Sequence, residues 1–212
     1  MPQFHPIEQP QSTIWGSPDT ATQLLPGVWE VRTASHGGMI LSEERQAAMP
    51  EALRLEGVSY EEDVDWALVV LGFDAEFRRL PAKGFDLLVD NARASVNAWH
   101  PGRFTAFTGE AVEAKDSHVL RRREAVSAQI GNYVVVSASG DWAEWVPEGK
   151  VGVVARRVVR VDAMGHAIYE GDPIHGLVDK ANYDSSRPVN GFDEIGAIPI
   201  ASDAPATKEV VL

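Results

Sequence analysis

Cysteine is absent from the 212 residues of the chain. Its absence excludes disulfides, thiolate zinc sites and cysteine nucleophiles together, and it suits a reducing compartment, so a cytoplasmic location is expected. Long hydrophobic runs are missing as well. The longest apolar window, "WALVVLGF" at Trp66–Phe73, falls far short of the ~20 residues that cross a bilayer as a helix, so no membrane association is expected. No basic segment followed by an apolar one opens the chain, which therefore does not read as carrying a secretion signal. Positive charge is scarce: 19 Lys and Arg stand against 31 Asp and Glu, for a formal charge of −12. Such a field repels a duplex, so direct nucleic-acid binding is not expected, whereas a protein with a basic surface would be drawn in. Walker loops, GxGxxG, GxSxG elbows, EF-hand loops and HExxH spacings are all lacking, and no resident metal is assigned from spacing.

What is present is the material of a globular protein, 44% apolar and 24% charged. Residues 1–20 are proline-containing and read as an extended arm that packs at Trp15. Residues 21–200 read as one α+β domain and 201–212 as a flexible tail. Turn residues gather at Glu170–Gly176, the place where a break would fall. Pro26-Gly27 separates two β-type runs and predicts a hairpin. Ser42, followed by Glu43 and Glu44, predicts a capped helix start, with Pro50 interrupting it and Gly57 as a stop. Ser59-Tyr60-Glu61-Glu62 has the spacing of a capping box ahead of Val64, Leu68 and Leu71 on one helical stripe. A helix is expected from Asp86 to Pro101, and another from Asp116 or Ser117 to Gly131. The β-branched runs at Asn132–Gly140 and Lys150–Val161 predict adjacent strands, with short ones in "HAIYEG" and "HGLVD". The fold class expected is α+β, a mainly antiparallel sheet with three or four helices packed on one side.

Three segments bear chemistry. Ser35-His36-Gly37-Gly38 is expected to turn from a strand into a helix start; glycine lets the backbone approach a ligand, and histidine shuttles protons near neutrality. The same glycines would serve a plain turn equally well. "YEEDVDW" brings Glu61, Glu62, Asp63 and Asp65, with Glu61 and Asp65 on one face if the segment is helical. Facing His36, such carboxylates could orient the imidazole or share a divalent cation with it, although acids also belong in a first helical turn. In "SASGDWAEWVPEG", Asp141 and Trp142 could form a ligand-binding wall at a turn between strands, or simply a long loop. His118, His166 and His175 are isolated, and the basic "LRRREA" reads as a solvated helix face.

With "PGVWEVRTASHGGMILSEERQAAMP", "YEEDVDWA" and "NYVVVSASGDWAEWVPEGKVGVVARR" in view, the chain resembles an uncharacterised family, a domain of unknown function of plasmid- and phage-borne bacterial proteins. The resemblance implies an accessory gene of a mobile element and brings no activity, cofactor or catalytic residue. Two functional expectations follow. The first is an acidic accessory protein that binds a host protein with a basic surface, for instance to blunt a defence system. The second is a hydrolase or transferase. In it His36 is the acid-base, Ser35, Gly37 and Gly38 contact an anionic group, and Glu61, Glu62 or Asp63 orients His36 or holds a metal.

Overall fold

The computed structural model of the chain describes residues 4–81 and 84–201. The chain divides between Ser117 and His118 into two compact units. Each unit carries its own four-stranded antiparallel sheet, and six α-helices are present among the described residues. The class is α+β. It is antiparallel throughout, as expected, and divided between two sheets.

In the first unit the strands β1 (Thr20–Leu25), β2 (Val28–Arg32), β3 (Gly37–Leu41) and β4 (Ser59–Glu61) pair in the order of the sequence. Pro26-Gly27 makes the first turn as expected, with Gly27 at φ 77. Val28 and Val31 point to opposite faces and both are fully buried, so the centre of this sheet is covered on both sides. The arm supplies part of that cover, since the Trp15 ring lies against Gly38. Helix α1 (Glu43–Ala48) starts as its sequence predicts, with Ser42 Oγ accepting from the Arg45 amide at 3.1 Å. It ends before Pro50, whose carbonyl then closes a turn with the Leu53 and Arg54 amides. Gly57 lies in the loop beyond and stops no helix.

The expected capping box is a strand. Ser59–Glu61 pairs with β3, Met39 opposite Tyr60. Burial of Tyr60, whose hydroxyl donates to Gln46 Oε1 at 2.9 Å and accepts from the Leu55 amide, outweighs the local preference for a helix start. Helix α2 (Trp66–Gly72) begins only after Asp65, which makes no side-chain cap, and its Ala67–Leu71 stretch is buried all round. Helix α3 (Asp74–Phe77) follows, then α4 (Phe85–Trp99), which buries Val89, Ala92 and Val96 at helical spacing and packs on α2. Pro101 opens α5 (Pro101–Thr108) instead of closing a helix, a place where its missing N–H costs nothing.

In the second unit, helix α6 (His118–Ser127) lays Val126 against Val134 and Val158 of the sheet, and Gly131 at φ 92 turns the chain into it. The strands β5 (Tyr133–Ser139), β6 (Lys150–Val161), β7 (Ala167–Asp179) and β8 (Ile198–Ile200) again pair in chain order. "HAIYEG" and "HGLVD", expected as separate short strands, are the two ends of β7. The turn residues between them form a bulge: Ala155 pairs with Ile174 and Arg157 with Glu170, so Gly171, Asp172 and Pro173 face Arg156 alone. A proline that cannot donate to the ladder is tolerated in such a bulge. No helix among the described residues is long and apolar enough to cross a membrane. The tail expected after residue 201 lies outside the described residues.

Candidate metal centre

The β2–β3 connection is short and tightly bonded. The Thr33 amide and hydroxyl both donate to the His36 carbonyl, at 2.7 and 2.8 Å, and the His36 amide donates to Thr33 Oγ1 at 3.2 Å. His36 therefore has a fixed backbone and an exposed ring, with Ser35 exposed beside it. Gly37 and Gly38 stand in strand β3 and not in a turn into a helix; Ser42 caps the helix only after the strand ends. Close approach is what requires them. A Cβ on Gly37 would come within 2.7 Å of Glu62 Oε2 and 2.8 Å of the Val31 carbonyl. Gly38, at φ 153, would drive a Cβ into the Tyr60 carbonyl and the Trp15 ring.

Strand β4 arrives on the other side of β3. Glu61 pairs with Gly38, and the Glu62 amide extends the ladder by donating to the Gly37 carbonyl at 3.1 Å. The consequence is that His36, Glu61 and Glu62 can each offer a ligand atom within 4.8 Å of the other two. Among the described residues no other three histidine or acidic side chains converge in this way. Glu61 is half-buried, and its Oε2 accepts from the Asp63 amide at 3.0 Å, which holds the carboxylate in place. One imidazole nitrogen and two carboxylates form a mixed donor set suited to Zn2+ or Mn2+ more than to Ca2+, and three protein ligands leave positions open. Behind the strand, burial pushes the Tyr60 hydroxyl above its ordinary pKa, so it stays a proton donor to Gln46.

Asp65 does not join this group. The helical face expected to pair it with Glu61 does not exist, and its Oδ1 lies 3.2 Å from His100 Nε2, close but poorly aligned for a hydrogen bond. Asp63 is exposed next to Glu62, and both line a cleft of 660 Å³. Leu24, Met39, Trp66, Phe85 and Leu88 give the cleft apolar walls, and Glu30 and Arg32, 3.4 Å apart, add to its polar edge. Nothing local in the sequence marks this cleft, because its walls come from β1, β3, the start of α2 and the start of α4.

Asp141 and Trp142 belong to the β5–β6 connection of the second unit. Trp142 is 80% exposed, and Asp141 Oδ2 is 3.5 Å from the Gly149 amide across the loop. Trp145 turns inward, its ring filling the space above Gly152 and meeting His175 edge-on at 6.5 Å. One tryptophan of the loop thus packs and the other is free.

The fold and this cluster define an α+β protein with a candidate cation site on its first sheet. Residues 8–130, more than half the chain, match the family described as Domain of unknown function (DUF7007), and the chain belongs to that family. The match covers the whole His36–Glu61–Glu62 cluster and ends before β5. No curated protein and no solved structure matches the chain.

Proposed function

We propose that the protein is a divalent-cation-dependent hydrolase or transferase whose site is His36, Glu61 and Glu62. The observation that carries this reading is the convergence of the three side chains from two strand ends, at the edge of an apolar-walled cleft. A cation held there would polarise a carbonyl or phosphoryl oxygen and acidify a bound water. On this reading Asp63, exposed beside Glu62 in the cleft and with its backbone amide bonded to Glu61, takes a proton from that water. Titration calorimetry of the metal-free chain with Zn2+ and Mn2+ tests the reading. His36→Ala and Glu62→Gln should each lower affinity by at least ~10-fold, since even a residue that only supports a ligand costs that much. Affinity equal to that of the unaltered chain would sink it.

A second reading is favoured by one observation, the exposed Trp142 beside exposed Asp141 on a loop that also carries Glu144 and Glu148. An aromatic anchor ringed by acids suits a partner with a basic surface. On this reading the protein is an accessory factor of a plasmid or phage that binds a host protein, with suppression of a defence system as its benefit. Cross-linking in host cells should trap one protein with the natural chain and lose it with Trp142→Ser. An unchanged cross-linking pattern would exclude the loop as the docking point.

A further inference from the structure

The cleft and the cluster share a residue, Glu62, so an occupant of the cleft lies beside one donor of the cluster. The sheet register orders the cleft from end to end. Arg32 pairs with Gly37, which pairs through its carbonyl with Glu62; two residues inward, on the same face of the sheet, Glu30 pairs with Met39 and Met39 with Tyr60. Charge therefore gathers at the Arg32 and Glu62 end, with Glu30 of the Met39 row turned back to Arg32 at 3.4 Å. The next rows and the helices that cover them supply Met39, Trp66, Phe85 and Leu88, which are buried or half-buried. Gly37 contributes no side chain to the charged row, and that gap is the space into which the Glu62 carboxylate leans. A volume of 660 Å³ lies within the range of small-molecule sites, which pair apolar walls with a few polar groups at one end.

We propose that the site takes a small molecule with two parts: an apolar body, aromatic or acyl, that lies along Met39, Trp66, Phe85 and Leu88, and an oxygen-bearing head that binds the cation at His36, Glu61 and Glu62. This rests on the cation reading above and adds the substrate class to it. Water cannot compete for the apolar walls, so the body supplies binding while the head meets the reactive end. A peptide backbone or a bare phosphate would leave those walls uncovered.

The probes are two hydroxamates, which chelate a divalent cation through the same two oxygens and differ only in their bodies. Binding of acetohydroxamate and 2-naphthohydroxamate to the full chain is measured by calorimetry, with Zn2+ loaded and with EDTA present. The expected result is a preference of about tenfold or more for the naphthyl compound in the Zn2+ form, the effect of removing roughly 60 Å² of apolar surface from water. Leu88→Gln, half-buried and outside the cluster, should shrink that preference while leaving Zn2+ affinity and the circular dichroism spectrum as they were. Equal affinity for the two hydroxamates in the Zn2+ form overturns the proposal and leaves the cation reading standing. Failure of the chain to take up either Zn2+ or Mn2+ overturns the cation reading itself, and naphthyl binding that is the same with EDTA as with Zn2+ overturns the link between cleft and cation.

Discussion

Arg45 is the most buried charge described in the chain, fully shielded from solvent at the base of α1. Its guanidinium makes a bidentate pair with Glu76 at 2.8 and 2.9 Å and donates a third bond to the Pro26 carbonyl at 2.7 Å. The Phe4 ring lies 3.6 Å and the Phe73 ring 4.7 Å from its centre. Arginine suits this place because its planar fork meets a carboxylate and an aromatic face together. Glu76→Ala would leave the cation buried and unpaired, with an expected cost of about 3–5 kcal/mol in urea unfolding. A loss under ~1 kcal/mol would show that water reaches the guanidinium. In the sequence Arg45 looks like any charge in a short polar helix, because Glu76, Phe4 and Pro26 are all distant along the chain. His36 and the acids of "YEEDVDW" were legible as chemistry for the opposite reason: their residue types carry it wherever the fold puts them.

At the scale of elements, the strands with strong alternation or β-branched runs were readable, and so was the Ser42 cap. Ser59–Glu61 was not, because a capping-box spacing is a local preference and the burial of Tyr60 against Met39 is a tertiary one. That difference changed the site. On a helix Glu61 would have turned toward Asp65, whereas on a strand end Glu61 and Glu62 reach His36. The turn between β6 and β7 has a local rule of its own. Asp162 accepts from the Met164 and His166 amides, both at 2.8 Å, and lies 3.2 Å from His166 Nδ1. Chiefly the His166 amide bond holds the Asp162 carboxyl below its ordinary pKa. A carboxyl with a depressed folded pKa stabilises above its unfolded value and loses that contribution as pH falls through the folded one. The turn should therefore keep its form from neutrality down through the usual carboxylate range and loosen only on the acid side of it. Amide shifts of Met164 and His166 followed by NMR should report one late transition, absent in Asp162→Asn. Shifts that move at the ordinary aspartate pKa would contradict this.

For the whole molecule, charge and chemistry are unevenly shared. Residues 1–117 hold eighteen acidic against nine basic residues, so most of the net negative charge lies with the unit that carries the His36, Glu61 and Glu62 cluster. Every donor of that cluster and every wall of its cleft also belongs to this unit. A chain of residues 1–117 alone should fold and bind Zn2+ with the affinity of the full chain, measured by calorimetry. Loss of affinity in a folded fragment would mean that a residue beyond Ser117 completes the site. No proline- or glycine-rich linker marks the division into two units: Ser117, fully buried, passes directly into α6 at His118. Turn residues instead clustered at Glu170–Gly176, where they serve a bulge within a strand.

The chain-order pairing of β1 to β4 also bears on how fast the site comes into being. The β2–β3 connection spans only Thr33–His36, and β3 reaches β4 through residues 42–58, so both closures that assemble the donors are local. Entropy lost in closing a loop rises only with the logarithm of its length, about 0.6 kcal/mol for each doubling, yet it must be met before the contact stabilises anything. Low contact order of this kind goes with rapid folding. The donors His36, Glu61 and Glu62 therefore lie on neighbouring strands joined by local connections, so on the cation reading a bound ion would act as a clasp across one end of this sheet.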